Sequence, residues 1–296
     1  MISGKTSMYC LIGDPVAHSL SPLIMTRALH EHRCDGEYVA QRVDPEQVGR
    51  TLEKMRTQNV RGVNVTYPLK ETVLGYADEV SAAAQTIGAA NVLSFAAGRI
   101  RADNTDAPGT VIALETFGGV APADRSVVIF GAGASGRAAA WGLLKKGAGE
   151  VTFAVRDPAR AKDTCERFSA HFSGKVVRAV PLEDPEGPGP LDPILAGADI
   201  VINATPVGMS GQPGARLSFN EDVIHEGQTW FDFVYHPPET DFLAGARRGG
   251  ARAIGGLALL VSQAREGFRL WTGHEFSLVD MYEHVRAHLA GADATE

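Results

Sequence analysis

Cysteine is scarce in this sequence, with Cys10, Cys34 and Cys165 scattered through 296 residues. An odd number without metal-ligand spacing supplies neither a disulfide framework nor a zinc site, and it points to a reducing, cytoplasmic setting. Each thiol reads as a small buried hydrophobe rather than a nucleophile. Positive charge is also short. Lysine and arginine number 28 against 35 acidic residues, for a formal net charge of −7. No basic block stands out, which argues against nucleic acid as the main partner. No apolar run approaches the roughly 20 residues that span a bilayer. The opening Met1-Ile2-Ser3-Gly4-Lys5-Thr6 has no apolar core of a secretory leader, so no membrane partner is expected. Internal repeats and low-complexity segments are lacking as well. What remains is the composition of an ordinary globular protein, 44% hydrophobic and 21% charged, with length enough for two domains.

The most informative stretch is Val127-Val128-Ile129-Phe130, which runs into Gly131-Ala132-Gly133-Ala134-Ser135-Gly136 and then into Arg137–Leu144. A buried strand, a glycine turn and a helix in that order form the setting of a dinucleotide fingerprint. Gly131 permits the tight turn, Gly133 lets backbone approach a pyrophosphate, and Gly136 lets helix and strand pack closely. Phosphates are favoured at the helix N-terminus that follows. The same glycines also suit a plain βα turn, so the loop alone marks only a candidate.

Around it the chain alternates strand and helix. Strands are expected at 8–13, 38–43, 61–66 and 91–95, the last turning through Ala97-Gly98 to 99–100. Helices are expected from Pro22, over 45–58, over 81–88 and over 106–117. This rhythm predicts an α/β fold whose first sheet is mainly parallel and covered on both faces. After Gly118-Gly119 a second βαβ series begins, with strands at 126–131, 151–155, 176–180, 199–203, 229–234 and 251–254, a doubly wound unit of the Rossmann type. Pro181 to Pro193, with five prolines and two glycines, reads as a surface loop. A C-terminal helix over 257–291 is expected to return to the first domain. The predicted division is a substrate-binding domain over 1–107 and a Rossmann domain over 108–256.

Ligands of parallel α/β sheets sit beyond the carboxyl ends of strands. The residues there are polar: Ser19 and Ser21; Asn64, Thr66 and Lys70; Asn91; and Asp103-Asn104-Thr105-Asp106. Hydroxyls and amides suit a small polyhydroxylated carboxylate. Lys70 and Asp106 are the one pair with acid–base capacity, an ammonium to move a proton and a carboxylate to orient it. Thr105 or Asp106 also suits a helix cap, and Ser19 and Ser21 suit caps before Pro22.

Taken together, seven ordered segments resemble the shikimate dehydrogenase family over nearly the whole chain. They are Gly13–Pro22, Gly62–Lys70, Asp103–Asp106, Gly131–Gly136, Asn203–Met209, Asp232–Pro237 and Gly255–Ala264. The resemblance implies reversible hydride transfer between the ring C3 of shikimate and a nicotinamide, in the pathway to aromatic amino acids. It implies Lys70 and Asp106 as the catalytic pair and Ser19 and Ser21 on the substrate carboxylate. Asn64, Thr66, Asn91, Asp106, Tyr235 and Gln263 are implied around the ring. Thr205 is implied on the cofactor, with Phe233 and Gly256 against its nicotinamide. No metal is required, and the chain is expected to act as a monomer or homodimer. Three departures from the family pattern stand out: Leu23-Ile24-Met25-Thr26 where a His-Asn pair is common, Asn91-Val92 for Asn-Thr, and Ala134 for a glycine. They keep quinate or an amino analogue open as the substrate. A non-catalytic metabolite sensor on the same fold is disfavoured by the intact Lys70 and Asp106.

The coenzyme is read from Arg156-Asp157-Pro158-Ala159-Arg160. Arg156 and Arg160 match the two arginines of the Asn-Arg-Thr-x-x-Arg segment of NADP-dependent members, where guanidinium groups clamp a 2′-phosphate. Asp157 replaces the threonine of that segment. It lies about 20 residues beyond Gly136, where an acidic residue holds a ribose 2′-hydroxyl. NADP is the expected cofactor, with NAD possible.

Overall fold

The computed structural model describes residues 3–182, 191–210, 217 and 219–293. The chain divides into two compact units, Met1–Gly109 with Leu260–Glu296, and Thr110–Leu259. Among the described residues no helix is long and apolar enough to cross a membrane.

The first unit opens with β1 (Ser7–Gly13), α1 (Ser21–Glu31), β2 (Gly36–Arg42), α2 (Val48–Arg56) and β3 (Val60–Val65). It continues through β4 (Glu79–Val80), α3 (Ala82–Ile87), β5 (Val92–Ala96) and β6 (Arg99–Asp103) to the start of α4 (Asp106–Gly118). The sheet order is β2-β1-β3-β5-β6-β4. The expected parallel character holds for β2-β1-β3 and for β4-β6, whereas β5 runs antiparallel to both β3 and β6. For the β5–β6 pair the reason is local. Ala97 (φ +50) and Gly98 (φ +73) reverse the chain in two residues, and so short a turn joins only antiparallel strands. On one face of the sheet, Cys10, Ile12, Val63 and Val65 bury Val48, Leu52 and Met55 of α2. Those three recur at helical spacing, so one stripe of α2 meets the core.

The second unit contains β7 (Ser126–Phe130), α5 (Ala134–Lys145), β8 (Glu150–Val155), α6 (Pro158–His171), β9 (Val176–Pro181), α7 (Leu191–Ala196), β10 (Ile200–Asn203), β11 (Thr229–Asp232), α8 (Asp241–Arg248) and β12 (Arg252–Ile254). Its sheet is parallel throughout, in the order β12-β11-β10-β7-β8-β9. That is the Rossmann order, with the reversal between β7 and β10. An aromatic cluster of Phe130, Trp230 and Phe242 anchors one face, with the Trp230 and Phe242 rings 4.9 Å apart. Of the expected proline-rich loop, 183–190 lies outside the described residues. Its end is helical rather than loop, because α7 starts at Leu191 and carries Pro193 in its first turn, where the missing N–H costs no helical bond.

The chain then enters α9 (Leu257–Thr272) and α10 (Leu278–Asp293). The single helix expected over 257–291 is therefore two. Gly273 at φ +75 ends the first, as a left-handed residue does. The Ser277 hydroxyl then accepts from Asp280 N at 3.3 Å to begin the second. Residues 260–293 pack within the first unit. Trp271 lies flat on Gly62 of β3, where any Cβ would collide with the indole, and its Nε1 donates to Leu93 O at 3.2 Å.

Candidate active site

In the first unit the loop after β3 and the start of α4 bring Lys70 and Asp106 together. Lys70 Nζ lies 2.6 Å from Asp106 Oδ2, with side-chain exposures of 17% and 8%. Asn91 stands between this pair and the C-terminal helix. Its Nδ2 donates to Asp106 Oδ1 at 2.7 Å, Thr105 Oγ1 at 3.0 Å and Gln263 Oε1 at 3.4 Å, and its Oδ1 accepts from Thr105 N at 2.7 Å. The capping role expected of Thr105 or Asp106 falls to Asn104, whose Oδ1 accepts from Ala107 N at 3.2 Å. Thr105 and Asp106 thus turn their side chains to Asn91 and Lys70. Gln263 is held on α9 by Nε2 donating to Leu260 O at 2.9 Å.

The serine pair also escapes capping. Leu20 occupies the cap position of α1 without a side-chain bond, and Ser19 Oγ accepts from Ser21 N at 3.2 Å. Ser21 is buried at the first residue of α1. A residue not singled out from sequence enters here. Tyr38 on β2 donates to Asn64 Oδ1 at 2.7 Å. Burial pushes this phenol well above its ordinary range. Thr66 sits at the end of β3 with its methyl against Gly13.

In the second unit the site is made of main chain. Gly131 follows β7 at φ +93, and a Cβ there would meet Thr205 Cγ2 at 2.8 Å. A Cβ on Gly136 would fall on the Gly131 carbonyl oxygen. Gly133, by contrast, has nothing within 4 Å of a built Cβ. Open space before the first turn of α5, where backbone N–H groups converge, fits a pyrophosphate. Ala132 and Ala134 flank it, and Arg137 Nη1 donates back to Ala132 O at 3.0 Å. Ser135 lies in the first turn of α5.

Beyond β8, Asp157 caps α6. Its Oδ1 accepts from Ala159 N at 3.0 Å and its Oδ2 pairs with Arg160 Nε at 3.3 Å. Arg156 is exposed beside it. Beyond β10 and β11, Asn203 Oδ1 accepts from Thr205 N at 3.0 Å and from Thr205 Oγ1 at 2.6 Å. Asn203 Nδ2 donates to Asp232 Oδ1 at 2.9 Å. Asp232 is fully buried, and burial pushes its carboxyl up to about 6 against the pull of bonds from Thr240, Val234 N and Asn203. Phe233 and Gly256 meet in this unit: Gly256 N donates to Val234 O at 3.1 Å, and a Cβ on Gly256 would strike the Phe233 carbonyl. Tyr235 follows, its phenol raised by burial. Tyr38 carries no sequence signal of its own, and Asp232 is marked only as the first residue of the Asp232–Pro237 segment. Tyr38 reads as one more strand aromatic, and Asp232 as the polar end of an apolar run.

Comparison with known proteins bears on both units. A family model described as the shikimate dehydrogenase substrate binding domain matches residues 11–93. The shikimate dehydrogenase (NADP(+)) of Methanothermobacter thermautotrophicus is 37% identical, over 93% of this chain and 94% of that protein. Among solved structures, shikimate 5-dehydrogenase of Thermus thermophilus in complex with NADP(H) and shikimate is 36% identical, with a TM-score of 0.81 over 95% of this chain and 99% of that one. Quinate dehydrogenase of Corynebacterium glutamicum in complex with NAD is 29% identical, with a TM-score of 0.84 and the same coverage. With 37% identity over 93% of this chain, the chain belongs to the shikimate dehydrogenase family.

Proposed function

We propose that this chain catalyses the reversible, NADP-dependent oxidation of the C3 hydroxyl of shikimate to the ketone, a step toward aromatic amino acids. The observation that carries the reading is the shielded ammonium–carboxylate pair, Lys70 Nζ to Asp106 Oδ2 at 2.6 Å, in a chain 37% identical to a shikimate dehydrogenase (NADP(+)). Bound NADP supplies a hydride acceptor at its nicotinamide C4. Lys70 handles the proton, taking it from the hydroxyl as the neutral amine during oxidation and returning it as the ammonium during reduction. Asp106 keeps the Lys70 side chain in place, and Asn91 in turn fixes the Asp106 carboxylate. The Ser19 and Ser21 hydroxyls receive the substrate carboxylate, while Asn64, Thr66, Asn91, Tyr235 and Gln263 hold the ring. The 131–136 loop holds the pyrophosphate, Arg156 and Arg160 the 2′-phosphate, and Thr205, Phe233 and Gly256 the nicotinamide end. Three free thiols support a reducing cytoplasm.

Asp157 favours a second reading, an NAD-linked paralogue acting on quinate or an amino analogue. Its carboxylate is engaged by the Ala159 amide as the cap of α6, which weakens it as a ribose ligand. Initial rates at 340 nm with shikimate and quinate, each with NADP and NAD, separate the two. The highest kcat/KM is expected for shikimate with NADP. A tenfold preference for NAD or for quinate overturns this assignment in favour of the second reading.

A further inference from the structure

Tyr38 lies on β2, and Asn64 two strands away on β3, with β1 between them. In register, Tyr9 of β1 stands beside Tyr38, and Leu11, two residues on, stands beside Asn64. Residues two apart along a strand share a face, so Tyr38 and Asn64 rise from the same side of the sheet. The phenol crosses β1 to donate to Asn64 Oδ1 at 2.7 Å. Both side chains are buried, at 5% and 4% exposure. The phenol has a single proton, and Asn64 takes it.

From this hydrogen bond, Tyr38 to Asn64, we infer that Tyr38 is a positioning residue for substrate recognition. An asparagine amide can present either its carbonyl or its NH2 to a ligand. By occupying Oδ1, Tyr38 orients Asn64 so that the NH2 end meets a ring hydroxyl oxygen. This inference rests on the reading of the reaction given above.

The test is a double-mutant cycle of Tyr38→Phe and Asn64→Ala, with KM measured for shikimate and for NADP. Tyr38→Phe keeps the ring and deletes only the hydroxyl. It is expected to raise shikimate KM roughly tenfold, the scale of one lost hydrogen bond, while NADP KM stays within about twofold. In the Asn64→Ala background the same change is expected to add less than about twofold, since Tyr38 acts through that amide. Asn64→Asp, which keeps the acceptor but lacks the donors, is expected to raise shikimate KM at least as much as Asn64→Ala. An unchanged shikimate KM in Tyr38→Phe, equal rises in both KM values, independent effects in the cycle, or near wild-type KM in Asn64→Asp each overturn the positioning role. A wild-type enzyme that does not turn over shikimate overturns the reading of the reaction instead.

Discussion

Asp106 and Asp232 are both buried carboxylates, one in each unit, and they sit among opposite partners. Asp106 faces the Lys70 ammonium and the Asn91 amide. The hydrogen-bond partners of Asp232 are all neutral: Asn203 Nδ2, Val234 N and the Thr240 hydroxyl. A buried charge is tolerated when it is paired and bonded, and without a cation it shifts toward its neutral form. The two positions therefore do different work. Asp106 holds a proton-carrying side chain. Asp232 ties together the loops after β10 and β11, which carry Thr205 and Phe233. The contrast extends to the sites around them. One is assembled from side chains that hold one another, the other from backbone and from positions where side chains are missing.

The largest effect that sharpens this comparison is a pH dependence. Asp232 is pushed up to about 6 by burial, so its carboxyl binds a proton more tightly folded than unfolded. Its stabilising contribution is full below about pH 3.8 and is lost as pH rises through 6. The loss is about 3 kcal/mol in all, at roughly 1.36 kcal/mol per unit. Asp232→Asn removes this term. Urea unfolding should show the variant gaining on the wild type by about that amount between pH 4 and 7. A constant difference across that range would break the contrast between the two carboxylates.

A smaller effect separates backbone from side chain in the second unit. Gly133 has φ −71 and open space where a Cβ would sit, so Gly133→Ala is expected to leave the melting temperature within about 2 °C. The added methyl occupies the approach to the pyrophosphate, and NADP Kd should rise about tenfold, or ~1.4 kcal/mol. Gly136→Ala instead places its methyl on the Gly131 carbonyl and should destabilise the fold itself by roughly 1–3 kcal/mol. Calorimetric titration and thermal melts on both variants check the pair. Equal melting temperatures for the two would contradict the close-packing role given to Gly136.

The same contrast explains what is legible in the sequence. A backbone site leaves its mark as missing side chains at fixed spacing, so Gly131, Gly133 and Gly136 take individual roles from spacing alone. The Rossmann strands are legible because a buried parallel strand is a continuous apolar run. A side-chain site has no such spacing. Lys70 and Asp106 are 36 residues apart, and Asn91 and Gln263 172, so residue type and strand-end position nominate them but do not join them. Tyr38 stays hidden because its hydroxyl works from a position whose ring simply packs. The reversal at Ala97-Gly98 is visible, yet its consequence, an antiparallel β5 within the first sheet, depends on a partner strand far along the chain. The break at Gly273 is signalled by the glycine and overridden by the helical pattern on either side of it.

The separation of roles between the two units is tested most directly by Lys70→Ala, with kcat for shikimate oxidation and Kd for NADP measured on the same preparation. If Lys70 moves the proton, kcat falls on the order of a thousandfold while NADP Kd stays within about twofold of wild type. Turnover that survives the substitution, or a loss of NADP binding that accounts for the fall, would contradict it.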